Sequence, residues 1–317
     1  MERRRYGSTD MDVSTIAYGA MSIRNDPGLR AGVAPSLLAA LENGINLIDT
    51  ARAYGDSEAI IAATLKEWRG ERPLISTKVA PLSRETFRFY RPVEETYTAH
   101  SIRSSVEKSL AALHVETLDI VHLHQWHYLW THETEWRDTL QKLRQEGKLR
   151  YIAVSAQDHE HDALLEAISR KSIDGAQIIV NLFESRPMNS VLPLAQVRGV
   201  GVIARCVYDS GGLSGSLSRK EFAERPFLKF APFDEYQARL QALRDAFVPK
   251  YVADISELAL RFVLSIAGVT SVTLGMSTVE MVRGACVAAS KGRLDDEAVK
   301  AIWRHHVWSK NFYEKLV

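Results

Sequence analysis

The feature that most constrains this chain is a repeated change of period along it. Eight short runs of β-branched and apolar residues can be marked: Thr15–Tyr18, Asn46–Asp49, Leu74–Lys78, Leu118–His124, Tyr151–Ser155, Ala176–Val180, Gly201–Ala204 and Ser271–Leu274. Between them the apolar residues recur at helical spacing, as in Ser36–Glu42, Glu58–Trp68, Thr98–Leu113, Glu133–Glu146, Ala163–Arg170, Ser256–Ser265 and Val279–Ala289. Asn43-Gly44 and Glu146-Gly147 put glycine where a helix end needs a left-handed residue. Strands that alternate with helices run parallel, and eight such units close on themselves. The expectation is an α/β chain, a single (β/α)8 TIM barrel. An N-terminal β-hairpin (Arg4–Tyr6 with Met11–Val13, turning at Gly7–Asp10) precedes it, and a helical extension follows Asp295. The spacing is even until the seventh strand, after which residues 205–270 form a long insertion, with an extra helix near Glu235–Phe247. Residues 1–317 read as one domain, without repeats or low-complexity segments.

Composition narrows the function classes. Lys and Arg total 40 against 39 for Asp and Glu, a net charge of +1, so no broad field steers nucleic acid or a membrane surface to the chain. Only Cys206 and Cys286 are present, too few for a disulfide framework. The basic start, Met1–Arg5, lacks the apolar run of a secretory signal, and no window has the length of a membrane helix. The expectation is a soluble cytoplasmic protein with a small-molecule partner, monomeric or homo-oligomeric.

In such a barrel the reactive side chains gather at the C-terminal ends of the strands. Asp49 closes the second strand and Tyr54 lies in the loop beyond it; Lys78 closes the third and His124 the fourth. A free phenol, with a pKa of about 10, is a poor acid at neutral pH. An adjacent ammonium favours the phenolate, and a carboxylate keeps that ammonium charged when it is buried. A neutral histidine can orient a substrate oxygen. Each residue also has a plain structural role open to it: a strand-end ion pair, a wall tyrosine, a satisfied core histidine. Together, on three consecutive strand ends, they make a device for protonating a carbonyl oxygen.

Other signals weigh less. His122-x-His124 faces one way and resembles a metal pair, but the later strand ends (Ser155, Val180, Ala204, Leu274) supply no ligands, so no metal is expected. Gly199-Val-Gly201 imitates a dinucleotide fingerprint but enters a strand instead of leaving one. Gln125–His132 is rich in aromatic residues near the mouth.

The segments Gly44–Ala51 with Tyr54–Glu58, Ser76-Thr-Lys78, Leu118–His124, Gly147–Ser155, Gln177 and Leu258–Leu264 together resemble the aldo-keto reductase family. The resemblance runs from about Arg5 to Ala289. It implies reduction of an aldehyde or ketone, or the reverse oxidation of an alcohol, with NADPH or alternatively NADH. Tyr54 would be the general acid, Lys78 and Asp49 would tune it, and His124 would orient the substrate. The cofactor would be held by Gly19, Ser155, Gln177, Arg205, Ser210, Gly212, Leu213, Gly215, Gly275, Ser277 and Thr278. Met21, Arg24, Trp126 and His127 would meet the substrate. The chain departs from the family pattern at Ala156, where asparagine is usual, and at Arg205, where many members carry an aromatic ring. It departs again at Val207, where proline is common, and at Met281, Gly284 and Ala285, where polar residues hold the adenosine end. Two other functions are compatible with this barrel: a non-redox lyase or epimerase, and a nicotinamide-binding regulatory subunit.

Overall fold

The computed structural model describes residues 1–24, 30–83, 90–225, 227, 228 and 231–308, and of Ser22, Arg24, Arg30 and Ala31 the backbone alone. A short antiparallel hairpin, β1 (Arg3–Arg5) and β2 (Asp12–Ser14), opens the chain. The barrel strands follow as β3 (Ile16–Gly19), β4 (Leu47–Asp49), β5 (Leu74–Val79), β6 (Leu118–Trp126), β7 (Leu149–Ala156), β8 (Gly175–Ile179), β9 (Gly201–Arg205) and β10 (Ser271–Gly275). They close in the order β10-β3-β4-β5-β6-β7-β8-β9, all parallel. Each expected strand is present, with ends displaced by at most two residues.

The helices are α1 (Arg30–Glu42), α2 (Ser57–Leu65), α3 (Val93–Thr96), α4 (Ala99–Leu113), α5 (Glu135–Gln145), α6 (Leu165–Ser169) and α7 (Val191–Arg198). Then come α8 (Arg219–Glu224) and α9 (Phe233–Phe247) in the insertion, followed by α10 (Ile255–Ser265), α11 (Val279–Ser290) and α12 (Asp296–His305). Their starts are set by side-chain caps: Thr98 accepts from the Ser101 amide, Asp254 from Glu257, and Asp295 from Ala298. The expected helix over Ala163–Arg170 is a 3-10 turn at His161–Leu164 running into the short α6.

Two packing layers follow from the alternation of side chains along each strand. Outward residues such as Ile48, Ile75, Val121 and Val202 join the helices in the large core. Inward, a small apolar cluster of Ala17, Leu47, Ile120, Ala153 and Ile203 fills the lower barrel, and the hairpin plugs it with Tyr6, Met11 and Val13. The plug depends on two glycines. A Cβ on Gly175 would lie 1.9 Å from the Tyr6 hydroxyl oxygen, and one on Gly201 would lie 2.5 Å from its ring. The lower barrel is thus solid, and polar side chains begin one layer above, where the strands end.

Candidate active site

Register places the four expected residues around one point. Asp49 pairs with Gly19 on one side and Ser76 on the other, and Lys78 pairs with His122 on β6. Tyr54 ends the 3-10 turn Arg52–Tyr54, closed by the bond from its own amide to the Ala51 carbonyl (2.9 Å). That turn is tied down from outside the barrel. Glu58, buried on α2, accepts from Thr77 Oγ1 (2.7 Å) and pairs with Arg52, while the Thr50 and Ser57 hydroxyls bond at 2.8 Å. The loop therefore holds the phenol in place on rigid supports.

Lys78 and Asp49 form a fully enclosed ion pair. Nζ donates to both Asp49 oxygens at 2.8 Å and to the Thr50 carbonyl at 2.9 Å. Burial alone would drive the lysine to lose its proton, but Asp49, with Tyr54 beside it, more than offsets this and raises its pKa above the ordinary value. Burial likewise opposes the Asp49 charge, and Lys78 overcomes it, so the carboxyl stays below its usual range.

Nζ lies 5.2 Å from the Tyr54 ring centroid. Burial pushes the phenol pKa up, while the Lys78 and Arg205 charges pull it down and Asp49 pushes it up. The lowering expected from Lys78 operates, but burial outweighs it and the net direction is upward. His124 meets Tyr54 edge-on, with ring centroids 5.7 Å apart at 82°. Burial, helped by the Lys78 and Arg205 charges, drives its pKa down to about 3, so the imidazole is neutral. The arrangement can donate a proton from Tyr54, with a cation beside the phenolate left behind and a neutral hydrogen-bonding group opposite.

Beside this point, Ser155 and Gln177 pair across β7 and β8, both nearly buried. Gln177 Nε2 is buried and has no hydrogen-bond partner, a donor left unsatisfied. Gly19 and Gly275 are register partners at the ends of β3 and β10. Arg205 Nη2 donates to the Ala156 carbonyl (3.0 Å) and to Asp158 (2.8 Å), which anchors one edge of the guanidinium. Ser210, Gly212, Leu213 and Gly215 share one turn, with left-handed backbone at Asp209, Ser210, Gly211 and Gly215. The Leu213 side chain is buried. The insertion helix α9 fixes this turn. Tyr236 donates to Asp209 (2.9 Å), Arg244 donates to the Gly215 carbonyl (3.2 Å), and any Cβ on Gly212 would stand 2.3 Å from the Tyr236 oxygen. At the far end Thr278 caps α11 by accepting from the Met281 amide (3.3 Å), and Ser277 contacts the Met281 sulfur.

The expected substrate contacts separate. Met21 is exposed on the turn Met21–Arg24, and the Arg24 side chain lies outside the described residues. His127 is held at the lip, its Nδ1 accepting from the Leu129 amide and its ring stacked on Tyr128 at 4.6 Å. Trp126 corrects the expectation. It is 1% exposed, donates to the Ala163 carbonyl (3.1 Å) and packs against Trp130 and Trp136. Its apolar surface supports the loop from beneath and does not face a substrate. Three contributors went unmarked in the sequence: Asp158, Tyr236 and Ser76. Ser76 had a readable signal, since it stands two residues before Lys78 on the same strand face.

A barrel with a Tyr, Lys, Asp and His set at its strand ends, beside a buried Ser–Gln pair with an unsatisfied donor, defines a class of cofactor-dependent carbonyl oxidoreductase. The aldo/keto reductase family model matches residues 15–306. The chain belongs to that family, whose members reduce carbonyls or oxidise alcohols with a nicotinamide cofactor. It is 26% identical to the NADH-specific methylglyoxal reductase of Escherichia coli, over 94% of this chain and 96% of that one. It is also 26% identical to the L-galactose dehydrogenase of Arabidopsis thaliana, over 89% and 86%. Among solved structures it superimposes on an aldo-keto reductase from Bacillus halodurans in its holo form, with a TM-score of 0.76 and 25% identity over 98% and 99% of the two chains. A glycerol dehydrogenase from Gluconobacter oxydans gives a TM-score of 0.74 and 27% identity, over 96% of each.

Among the described residues no helix is long and apolar enough to cross a membrane, and no group of three or more His, Cys, Asp or Glu is placed to hold a metal.

Proposed function

We propose that residues 1–317 act as one barrel domain that reduces a small carbonyl compound, with Tyr54 as its general acid. The enclosed Lys78–Asp49 pair carries this reading, because such a costly burial of charge beside a phenol has a chemical use. When bound, the nicotinamide supplies a hydride to the carbonyl carbon. The carbonyl oxygen takes the Tyr54 proton, and the phenolate left behind is stabilised by the Lys78 ammonium. Neutral His124 directs the same oxygen. In the reverse direction the phenolate accepts the alcohol proton.

The residues present suit such a cofactor. Ser155 and Gln177 would hold its carboxamide, Arg205 would lie along the ring, and the turn Ser210–Gly215 would meet the pyrophosphate, with Gly19 and Gly275 leaving room. Ser277 and Thr278 would meet the adenosine end. The first turn of α11 bears on the choice of dinucleotide. It carries Glu280, held below its usual pKa chiefly by its own backbone amide, and the exposed Met281. A carboxylate there, its charge balanced by Arg283 just beyond that turn, disfavours an added 2′-phosphate, and a similar chain is NADH-specific, so we read NADH as preferred over NADPH.

The test is to supply NADH and NADPH separately with small aldehydes, ketones and sugar-like carbonyls. The expected result is one alcohol formed per reduced cofactor oxidised, with kcat/KM higher for NADH. Product formed with no net cofactor oxidation would instead establish a lyase or epimerase.

A further inference from the structure

His122 and Ser76 take no part in the chemistry above, yet they sit directly against it. His122 is fully buried inside the barrel, on the same face of β6 as His124 and beside Lys78 in register. Its Nε2 lies 3.0 Å from Ser76 Oγ, and the same Oγ lies 3.0 Å from Asp49 Oδ1. The directions of these two bonds follow from the groups themselves. An ionised Asp49 can only accept, so the Ser76 hydroxyl proton points to it. Ser76 Oγ can then only accept from the histidine, which requires the proton on Nε2. That leaves Nδ1 bare. Nδ1 has no hydrogen-bond partner, while the Val154 backbone acts on the ring against burial and favours its protonated form. Burial, with the Lys78 charge beside it, holds the ring neutral and drives its pKa to about 3.

We propose that Ser76 and His122 are a positioning pair. They form a one-way hydrogen-bond relay, from His122 N–H to Ser76 O–H to the Asp49 carboxylate, that fixes the carboxylate against Lys78 and sets the acidity of Tyr54. The inference rests on the assignment of Tyr54 as the acid. The relay delivers one donor to Asp49 Oδ1, and so neutralises part of the carboxylate charge that opposes ionisation of the phenol. Without it, Asp49 acts on Lys78 and Tyr54 with less compensation and Tyr54 becomes a weaker acid. The charged groups facing the phenol are Lys78, Asp49 and Arg205, and neutral His124 stands opposite. Of these, Asp49 alone is bonded to Ser76.

Two measurements test this. In unliganded wild-type protein at neutral pH, 15N shifts of the His122 ring, assigned by their loss in His122→Gln, should show Nε2 protonated and Nδ1 bare. Protonation at Nδ1, or an imidazolium, overturns the relay. Because this reading needs no substrate, it stands or falls separately from the proposed activity. Second, Ser76→Ala and His122→Leu should lower kcat on the order of tenfold, leave KM for the carbonyl within about twofold, and move the basic limb of the kcat–pH profile upward. Ser76→Thr and His122→Gln, which keep the donors, should recover most of the rate. Variants that lose thermal stability but keep the wild-type kcat and pH limb would show a merely structural pair and overturn the proposal. Should either variant fail to fold, the ring tautomer still decides.

Discussion

Lys78 and Asp49 bring full charges into a place that water does not reach, and each keeps its charge only because of the other. Removing one partner of such a pair costs about 3–5 kcal/mol, because the survivor is left uncompensated. The histidines beside them solve the same problem by staying neutral. His122 and His124 both have pKa values near about 3 in the folded chain, far below the ordinary value of about 6.5. Between those values the unfolded chain binds protons that the folded one does not, so stability falls as pH drops through this window. From pH 6 to 4.5 each histidine should remove on the order of 1 kcal/mol per pH unit from the unfolding free energy. Asp49 acts in the same sense: burial opposes its charge but Lys78 lowers its pKa on balance, so its stabilisation is present above the unfolded carboxylate range and is lost as pH falls below it. Denaturant titrations at several pH values should give a shallower slope for His122→Gln than for wild type; equal slopes would show that His122 protonates when folded. At this scale the sequence was informative about types and spacing. The four residues proposed to react could be read from three strand ends and the loop beyond one of them, and the His122-x-His124 pair was visible. Ser76 could be placed on the inner face from its spacing to Lys78, but its bond to His122 could not be read, because a hydrogen bond across two strands depends on register, which a single run of residues does not display.

The elements were legible wherever one physical cause dominated. Eight buried parallel strands announce themselves as β-branched runs, and capped helices such as α4 and α12 announce their first residues. Helix α7 escaped notice because Pro193 interrupts a stretch that is apolar on most sides, so neither period nor propensity marks it. The hairpin was expected, but its use was not: the plug is a tertiary fact, written only as two glycines on β8 and β9. Gly201→Ala places a methyl group against the Tyr6 ring and should cost about 1–3 kcal/mol by overpacking. Urea unfolding measures it. Partial recovery in the double variant with Tyr6→Leu is expected, and a Gly201→Ala protein as stable as wild type would mean the plug is loose.

For the whole molecule, the barrel separates two tasks. Its lower half is closed by an apolar plug, and its upper rim gathers Tyr54, the ion pair and the Ser–Gln pair. The insertion reaches back so that α9 braces the turn Ser210–Gly215 beside them. The long insertion stood out in the sequence, whereas the contact between α9 and that turn could not be read from a chain order in which they lie far apart. The most direct test follows one turnover by stopped flow, with the protein saturated in reduced cofactor and mixed with a carbonyl it accepts. Tyr54→Phe should bind the cofactor as wild type does and convert it on the order of 10²–10⁴-fold more slowly. A mutant that oxidises the cofactor at the wild-type rate would show that the proton comes from another group, and would contradict the account at its centre.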